Sequence, residues 1–255
     1  MEGVRGMEDA LRAGVSPTIC LFNRALLKRT PRGIELWRSI SGMAAIVITG
    51  SGSQGKTQEA SERALEAAAG TLHPQGIVAA FAIPRWPVPA PVAKGVALAL
   101  ICDNVQDPGN LGTILRTAEA AGVNAVWLSP DCVDPFNPKV VRAGMGAHFR
   151  LPIYSDNDWQ QIGTALMALG VTDGHIYATE AEAKTLYYSC DWRSPTALIV
   201  SNEAHGLSRA AREFLQENGG GTVSIPMSGR TESLNAAVAA AVILFEAARQ
   251  RRLEG

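Results

Sequence analysis

Three polar segments in the second half of the chain carry residue types from which a ligand site could be built. We call them segment A (residues 103–118, DNVQDPGNLGTILRTA), segment B (residues 198–208, LIVSNEAHGLS) and segment C (residues 225–236, IPMSGRTESLNA). Each is predicted at the carboxyl end of a strand, because each begins with or follows an apolar run. Ligands of open α/β sheets bind at such strand ends. We therefore expect the three segments to supply one site.

Taken singly, the residues of these segments allow an ordinary structural interpretation as well as a chemical one. Arg116 is predicted on a helix, where a lone arginine is more often a surface ion pair than a catalytic group. Asn110 can cap that helix. Glu203 suits a ligand-lining loop, although many strand–turn–helix joints look similar. Ser233 and Asn235 open an alanine-rich helix whose free N–H groups favour a polar ligand. The alternative there is a plain serine N-cap.

The elements around these segments alternate between strand and helix. An apolar run at residues 96–102 predicts a buried parallel strand, and the following helix is predicted from about residue 111 to 121, with Gly122 as its C-cap. Further predicted elements are strands at 125–128, 176–179, 198–200 and 223–225, and a helix at 233–252. This alternation predicts an α/β fold with a parallel sheet.

The first part of the chain is predicted to be a smaller α/β unit. Its helix-like and strand-like segments lie at residues 6–13, 19–22, 31–39, 44–49, 58–69 and 77–81. Four prolines then surround Trp86, and because proline fixes φ and removes a backbone donor, they predict an extended linker. We predict one domain at residues 1–84, the linker at 85–94 and a second domain at 95–255.

Together, segments A, B and C resemble the three motifs of the SpoU/TrmH family of RNA 2′-O-ribose methyltransferases, a branch of the SPOUT superfamily. Segment A resembles N-P-x-N-L-G-x-I-x-R-T-A, segment B resembles G-x-E-x-x-G-L-S, and segment C resembles I-P-M-x-G-x-x-x-S-L-N-x-x-x-A. Residues 2–5, 10–11, 29–33 and 73–79 also resemble the L30e-like substrate-binding domain that often precedes this family's catalytic domain. The resemblance implies a SPOUT-type parallel sheet with a C-terminal trefoil knot, preceded by an L30e-like domain.

The resemblance also implies S-adenosylmethionine as cofactor, a homodimer, and a set of site residues. The implied catalytic residues are Arg116, Asn110, Glu203, Ser233 and Asn235. The implied cofactor-binding residues are Thr179, Ser201, Asn202, Glu203, Gly206, Ile225, Met227 and Leu234. Family accounts make the arginine the base. A guanidinium normally stays charged, so anchoring a phosphate or an oxyanion suits Arg116 better.

Two positions of segment B depart from the family pattern. The family usually has glycine where this chain has Ser201, and often has glycine at Ala204. Glycine permits a positive φ and a close backbone approach, so these side chains are expected to affect cofactor binding more than the fold.

Composition narrows the class of protein without identifying a partner. The chain is 47% hydrophobic and 18% charged with a net charge of −1, which argues against disorder and gives no overall sign of nucleic acid. Residues 1–40 nevertheless hold seven cationic side chains against four acidic ones, which suits either an RNA-facing patch or a solvated helix face. The spacing of the cysteines and histidines predicts no metal site. We expect a cytoplasmic protein with an RNA partner, ribosomal RNA of the large subunit before transfer RNA, and no membrane or metal partner.

Two other functions compete with the methyltransferase interpretation. Residues 50–57 (GSGSQGKT) match the phosphate-binding P-loop, after a strand-like run and before a helix-like one, and Asp103 could hold the magnesium of such a nucleotide hydrolase. A non-catalytic RNA-binding protein is the second alternative. Separately, Leu234, Val238, Val242 and Phe245 form an apolar stripe on the last helix, which predicts either core packing or a subunit interface.

Overall fold

The computed structural model describes residues 1–47, 56–69, 74–87, 89, 96–202, 205–231 and 233–252. It divides into two compact units, Met1–Pro84 and Arg85–Gly255. No helix of the described residues is long and apolar enough to cross a membrane.

The first unit is a three-stranded sheet covered by helices. Its elements are α1 (Val4–Arg12), β1 (Ile19–Phe22), α2 (Arg24–Leu27), α3 (Pro31–Val47), β2 (Lys56–Glu59), α4 (Glu62–Ala69) and β3 (Ile77–Ala80). The central strand β1 pairs in parallel with β2 and antiparallel with β3. Its core includes Met7, Leu27, Leu36 and Ile77.

Two predictions for this unit are wrong. Residues 44–47 are helical and continue α3, although their apolar run predicted a strand. A short apolar run does not distinguish a buried helix from a strand, and here the helix begun at Pro31 extends through it. Residues 58 and 59 belong to β2 because they pair with β1, whereas the sequence predicted a helix from residue 58.

The assignment of residues 56–59 to a strand also argues against the P-loop interpretation of residues 50–57. In that motif the lysine and the following threonine open a helix beneath the phosphates. Here Lys56 and Thr57 are strand residues paired with Ile19 and Cys20. The other glycine-rich residues of the segment, 50–55, lie outside the described residues.

The second unit is an α/β fold with a seven-stranded sheet, as predicted. Its elements are β4 (Leu98–Asp103), α5 (Pro108–Ala121), β5 (Ala125–Leu128), α6 (Pro138–Gly144), β6 (Ile153–Tyr154), α7 (Trp159–Ala168), β7 (Ile176–Thr179), β8 (Thr185–Leu186), β9 (Thr196–Ser201), α8 (Arg209–Glu217), β10 (Gly221–Ser224) and α9 (Ala236–Arg252), with short 3₁₀ turns at 147–149 and 187–189. The strand order is β6-β5-β4-β9-β7-β10-β8, and every pairing is parallel.

Helices on both faces bury this sheet. Strands β4 and β9 are buried along their whole length, which explains their unbroken apolar runs. Alternate β4 residues enter two separate cores: Leu98 and Leu100 pack with α5 and α9, while Ala99 and Ile101 pack with α7 and α8. The carboxyl ends of the strands are thereby fixed at one edge of the sheet.

The half-buried side chain of Arg251 joins the end of α9 to the start of the sheet. Its guanidinium donates to the carbonyl oxygens of Trp192 (2.6 Å), Val96 (2.8 Å), Ala97 (3.0 Å) and Ser194 (3.1 Å). Burial lowers the pKa of Arg251 to about 10, so it remains a cation at neutral pH. The contacts join the last helix to the segments that lead into β4 and β9.

Arg251→Ala is therefore expected to destabilise the fold strongly. Hydrogen bonds from a charged group contribute about 1.5–3 kcal/mol each, so losing this set should lower the free energy of unfolding by at least about 3 kcal/mol. Thermal denaturation measures the effect. The matched control is Arg252→Ala, which removes an exposed neighbouring cation. Equal melting temperatures for the two variants would contradict this role.

Candidate active site

The sheet places the three segments at adjoining strand ends. Segment A leaves β4, segment B leaves β9, and segment C leaves β10, with β7 between the last two. Because β9, β7 and β10 are parallel neighbours, Ser201, Thr179 and Ile225 all lie at the same edge. Ser201 is the last residue of β9, pairs with Asp103 and has no positive φ, so this strand end accommodates a side chain where the family usually has glycine.

Asp103 joins segment A to segment B. Its side chain is only 1% exposed, and its Oδ2 accepts a 2.7 Å hydrogen bond from the Ser208 backbone N–H. Burial raises the pKa of Asp103, and hydrogen bonds from Ser208 oppose that rise. Ser208 in turn caps α8, its hydroxyl oxygen accepting from the Ala211 N–H at 3.1 Å. This carboxylate therefore fixes the end of segment B relative to segment A.

The turn of segment B lies between these fixed points. The Gly206 N–H donates to the Asn202 carbonyl oxygen at 2.8 Å, and Gly206 has a φ of 65°, which favours glycine. Glu203 and Ala204, both singled out from the sequence, lie outside the described residues.

A pair of asparagines joins segment A to segment C. Asn235 Nδ2 donates to Asn110 Oδ1 at 2.9 Å. Asn235 Oδ1 accepts from the N–H groups of Ala237 (3.0 Å) and Val238 (3.4 Å), which makes Asn235 the cap of α9. Because its oxygen faces the helix, its amide nitrogen must face Asn110. Both ends of the side chain are thus used.

Two predicted helix starts are corrected by these contacts. Helix α5 begins at Pro108 and is capped by Asp107, whose Oδ1 accepts from the Asn110 N–H at 2.7 Å, so Asn110 lies within the first turn and is not the cap. Helix α9 begins at Ala236, which leaves Ser233 in the exposed preceding loop. The predicted C-cap of α5 is confirmed, since Gly122 has a φ of 82°.

Arg116 does not join the asparagine pair. It lies six residues after Asn110 on α5, about 9 Å along the axis and roughly 120° around it. Its side chain is exposed and makes no ion pair with any residue that the structure describes. The guanidinium is therefore a cation available to an anionic substrate.

Close packing sets the position of α5. A Cβ atom built on Gly112 would lie 2.5 Å from the Ala143 Cβ and 2.6 Å from the Val140 carbonyl oxygen, both on α6. Glycine at this position lets the two helices touch by their backbones. This contact holds α5, and with it Arg116, against α6.

The cofactor-binding positions named from the sequence surround the ends of β7, β9 and β10. Thr179, Ile225 and Leu234 are half-buried, and Met227 is 38% exposed. Within the described residues, no backbone group of 226–231 or 233–234 makes a hydrogen bond. Unpaired backbone groups can bind the polar atoms of a ligand, and the partly exposed apolar side chains beside them can contact an aromatic ring. S-adenosylmethionine has both kinds of group, so the residues present fit this cofactor.

Some residues that build this edge were missed by sequence reasoning. Glu180 follows β7, and its carboxylate pairs with Arg212 of α8 at 2.8 Å, which ties the loop after β7 to the helix after segment B. Nothing in the local sequence indicates this long-range pair. Asp103 has a detectable signal, an acidic residue that ends an apolar run, and it belongs to segment A, but no pattern in the sequence predicts its hydrogen bond with the Ser208 N–H. The described residues contain no cluster of three or more His, Cys, Asp or Glu that could hold a metal ion.

Comparison with known proteins identifies the class. The family model described as "SpoU rRNA Methylase family" matches residues 97–245. The chain is 31% identical over 300 residues to mouse "rRNA methyltransferase 3, mitochondrial", covering 100% of this chain and 68% of the mouse protein. It is 41% identical over 197 residues to "23S rRNA (guanosine-2'-O-)-methyltransferase RlmB" of Xylella fastidiosa, covering 75% of this chain and 76% of that protein.

One solved structure is similar to this chain along its whole length. The SpoU methyltransferase AviRb from Streptomyces viridochromogenes, in complex with the cofactor AdoMet, matches with a TM-score of 0.78 and 28% identity, covering 100% of this chain and 90% of AviRb. The parallel sheet is thus that of an S-adenosylmethionine-dependent RNA methyltransferase. The chain belongs to the SpoU rRNA methylase family.

Proposed function

We propose that this protein transfers a methyl group from S-adenosylmethionine to the 2′-hydroxyl of a ribose in ribosomal RNA. The observation that carries the proposal is the Asn235–Asn110 hydrogen bond, which joins segments A and C near the edge at which segment B leaves β9. The names of the mouse and Xylella relatives support ribosomal RNA over transfer RNA.

S-adenosylmethionine, when bound, supplies a methyl group already activated by a positively charged sulfur. Thr179, Ile225, Met227 and Leu234 would hold its adenosine, with further contacts from Ser201, Asn202, Glu203 and Gly206. The chain's own contribution is to orient the RNA hydroxyl towards that methyl group, since alignment of the reacting atoms lowers the barrier.

The nucleophile needs help from the protein, because a ribose hydroxyl is weak until its proton leaves or its developing charge is stabilised. Arg116 serves as the anchor for the RNA phosphate or the developing oxyanion, because a guanidinium does not readily give up its proton. Asn110 and Asn235 position the substrate, and Glu203 and Ser233 complete the proposed catalytic set.

The first unit is proposed to be the L30e-like RNA-binding domain, followed by a linker at residues 85–94. Four cations within residues 1–40 are exposed and make no ion pair with described residues: Arg5, Arg12, Lys28 and Arg38. They would contact RNA phosphates. For the second unit, we propose the family's trefoil knot, which the non-sequential placing of β9 between β4 and β7 supports. Free cysteines at positions 20, 102, 132 and 190 support a reducing cytoplasmic location.

A homodimer is proposed through the outer face of α9. The stripe singled out from the sequence does not enter the core: Val238 is 48% exposed and Phe245 47% exposed, while Ala240, Ile243 and Leu244 are buried. Large exposed apolar side chains on one helix face suit a self-complementary interface with a second copy.

Phe245→Asp is accordingly expected to convert a dimer into monomers at micromolar concentration, because it would bury an unpaired charge. Sedimentation velocity measures the change. Met167→Asp is the control, since Met167 is 68% exposed on α7, outside the stripe. A wild-type protein that is monomeric under these conditions would overturn the proposal.

The test of the function is transfer of tritiated methyl groups to unmodified transcripts of large-subunit ribosomal RNA and of transfer RNA, with and without EDTA. We expect incorporation into the ribosomal transcript that EDTA does not abolish. Incorporation into transfer RNA alone would overturn the choice of substrate. Binding of both RNA classes without any incorporation would favour the non-catalytic alternative.

A further inference from the structure

A separate cavity opens beside segment A, at the carboxyl ends of β5 and β6. Its volume is about 180 Å³, and its apolar wall includes Leu128, Val133 and Pro135. Drug-sized ligands need pockets of at least about 300 Å³, so this space suits a smaller group such as one planar heterocyclic base. None of the site residues predicted from the sequence lines it.

The cavity wall is attached directly to segment A. Ser129, which follows β5, accepts a hydrogen bond through Oγ from the Asn104 N–H at 3.0 Å. The Val133 N–H donates to the Val105 carbonyl oxygen at 3.0 Å. Strands β5 and β9 lie on either side of β4, about 10 Å apart, or two strand spacings. The cavity is therefore within the reach of one nucleotide from the strand end at which segment B leaves β9.

The cavity wall is also held in place by the buried side chain of His148. His148 is buried, and its Nε2 donates to the Pro135 carbonyl oxygen at 2.7 Å. A Cβ atom on Gly144 would lie 2.7 Å from the His148 Cε1, so the glycine makes room for the imidazole. A cavity braced in this way can select a ligand by shape.

The polar lining offers hydrogen-bond acceptors. Asp134 and Asp156 both line the cavity. Asp134 Oδ1 already accepts from the Phe136 N–H at 2.8 Å. The Asp156 carboxylate makes no hydrogen bond or ion pair with the described residues and therefore has both oxygens available. Of the two, Asp156 is better placed to receive a ligand.

We propose that this cavity receives the base of the nucleotide to be methylated, and that Asp156 selects guanine. Guanine presents two adjacent donors on its Watson–Crick edge, the N1–H and the 2-amino group, and a carboxylate can accept both. The corresponding edges of adenine, cytosine and uracil each carry one donor group beside an acceptor. Unstacked RNA bases are commonly recognised through this edge. The inference rests on the proposed function, because it takes the RNA ribose as the methyl acceptor.

The test uses the full chain and an unmodified large-subunit ribosomal transcript whose methylated nucleotide has been mapped. That nucleotide is then replaced by inosine, which lacks the 2-amino group, and by adenosine. The variants are Asp156→Asn and, as the matched control, Asp131→Asn, which removes the same charge from a loop residue outside the cavity. Asparagine tolerates the left-handed backbone of Asp156, whose φ is 60°.

The mapped nucleotide is expected to be guanosine. Inosine keeps the N1–H donor and lacks the other, so the inosine transcript should react about 10-fold more slowly with wild-type protein. Asp156→Asn should lose about 10- to 100-fold on guanosine and discriminate less between guanosine and inosine, while Asp131→Asn should behave as wild type. Calorimetry with S-adenosylmethionine, and the melting temperature, should match wild type for both variants.

Two outcomes overturn the inference while leaving the proposed function intact. One is a methylated nucleotide other than guanosine. The other is an Asp156→Asn protein that keeps both its rate and its preference for guanosine over inosine. If wild-type protein binds S-adenosylmethionine but methylates no ribosomal transcript, the proposed function itself fails, and the base selection that depends on it fails too.

Discussion

Arg116→Ala is expected to lose about 10²–10³-fold in methyl transfer and to retain near wild-type affinity for S-adenosylmethionine. A donor aimed at developing charge contributes on that scale when it is removed. Arg116 is exposed on α5 without an ionic partner among the described residues, and it is not one of the proposed cofactor-binding positions, several of which lie at the ends of β7, β9 and β10. Single-turnover transfer and calorimetry on the same preparation separate the two effects.

The matched control is Arg142→Ala, which removes an exposed cation from α6, the helix against which α5 packs. It should change RNA affinity modestly and leave the single-turnover rate at saturating RNA near wild type. Lys56→Ala should likewise do no more than weaken RNA binding, because Lys56 belongs to a strand and not to a phosphate-binding turn. If Arg116→Ala reacted as fast as Arg142→Ala, the anchoring role would be wrong.

Asn235→Ala is expected to reduce transfer by about 10²-fold and to destabilise the fold by about 1 kcal/mol. The side chain both caps α9 and donates to Asn110, so its removal loosens the start of the helix and releases segment A from segment C. Loss of an N-cap typically costs about 1 kcal/mol. A displacement of about 1 Å in a positioning group can cost about 10²-fold in rate.

Asn235→Ser separates the two roles. Serine is a good N-cap but its hydroxyl cannot at the same time span the distance to Asn110, so the melting temperature should recover while the rate stays low. A double variant with Asn110→Ala should be no slower than either single variant, because both changes break one contact. Full activity in Asn235→Ser would show that only the helix cap matters.

Sequence reasoning located elements well where one physical signal dominated. The predicted strands at 125–128 and 176–179 coincide with β5 and β7, and Gly122 ends α5 as expected, because buried apolar runs and a left-handed glycine leave few alternatives. Sequence reasoning failed where tertiary contacts determine the secondary structure. Residues 58 and 59 form a strand only because β1 is there to pair with them.

The candidate site, too, was predictable from the sequence only in part. The grouping of segments A, B and C was predictable, since parallel strand ends share one edge of a sheet. The contacts that fix them were not: Asp103 reaches Ser208 across more than a hundred residues of chain, and Asn235 turns from a helix start towards Asn110. The apolar stripe on α9 has the period of a core-facing helix, yet the residues that enter the core are Ile243, Leu244 and several alanines on another face, so the period alone could not show which face is buried.

The most direct test is to locate the transferred methyl group on the RNA product. Unmodified large-subunit ribosomal RNA is incubated with the full chain and S-adenosylmethionine carrying a deuterated methyl group, then digested to nucleosides and analysed by mass spectrometry. We predict that the label appears in a 2′-O-methylated nucleoside and disappears with Arg116→Ala. Label found only in base-methylated nucleosides, or absent from the RNA although the protein binds the cofactor, would contradict the account.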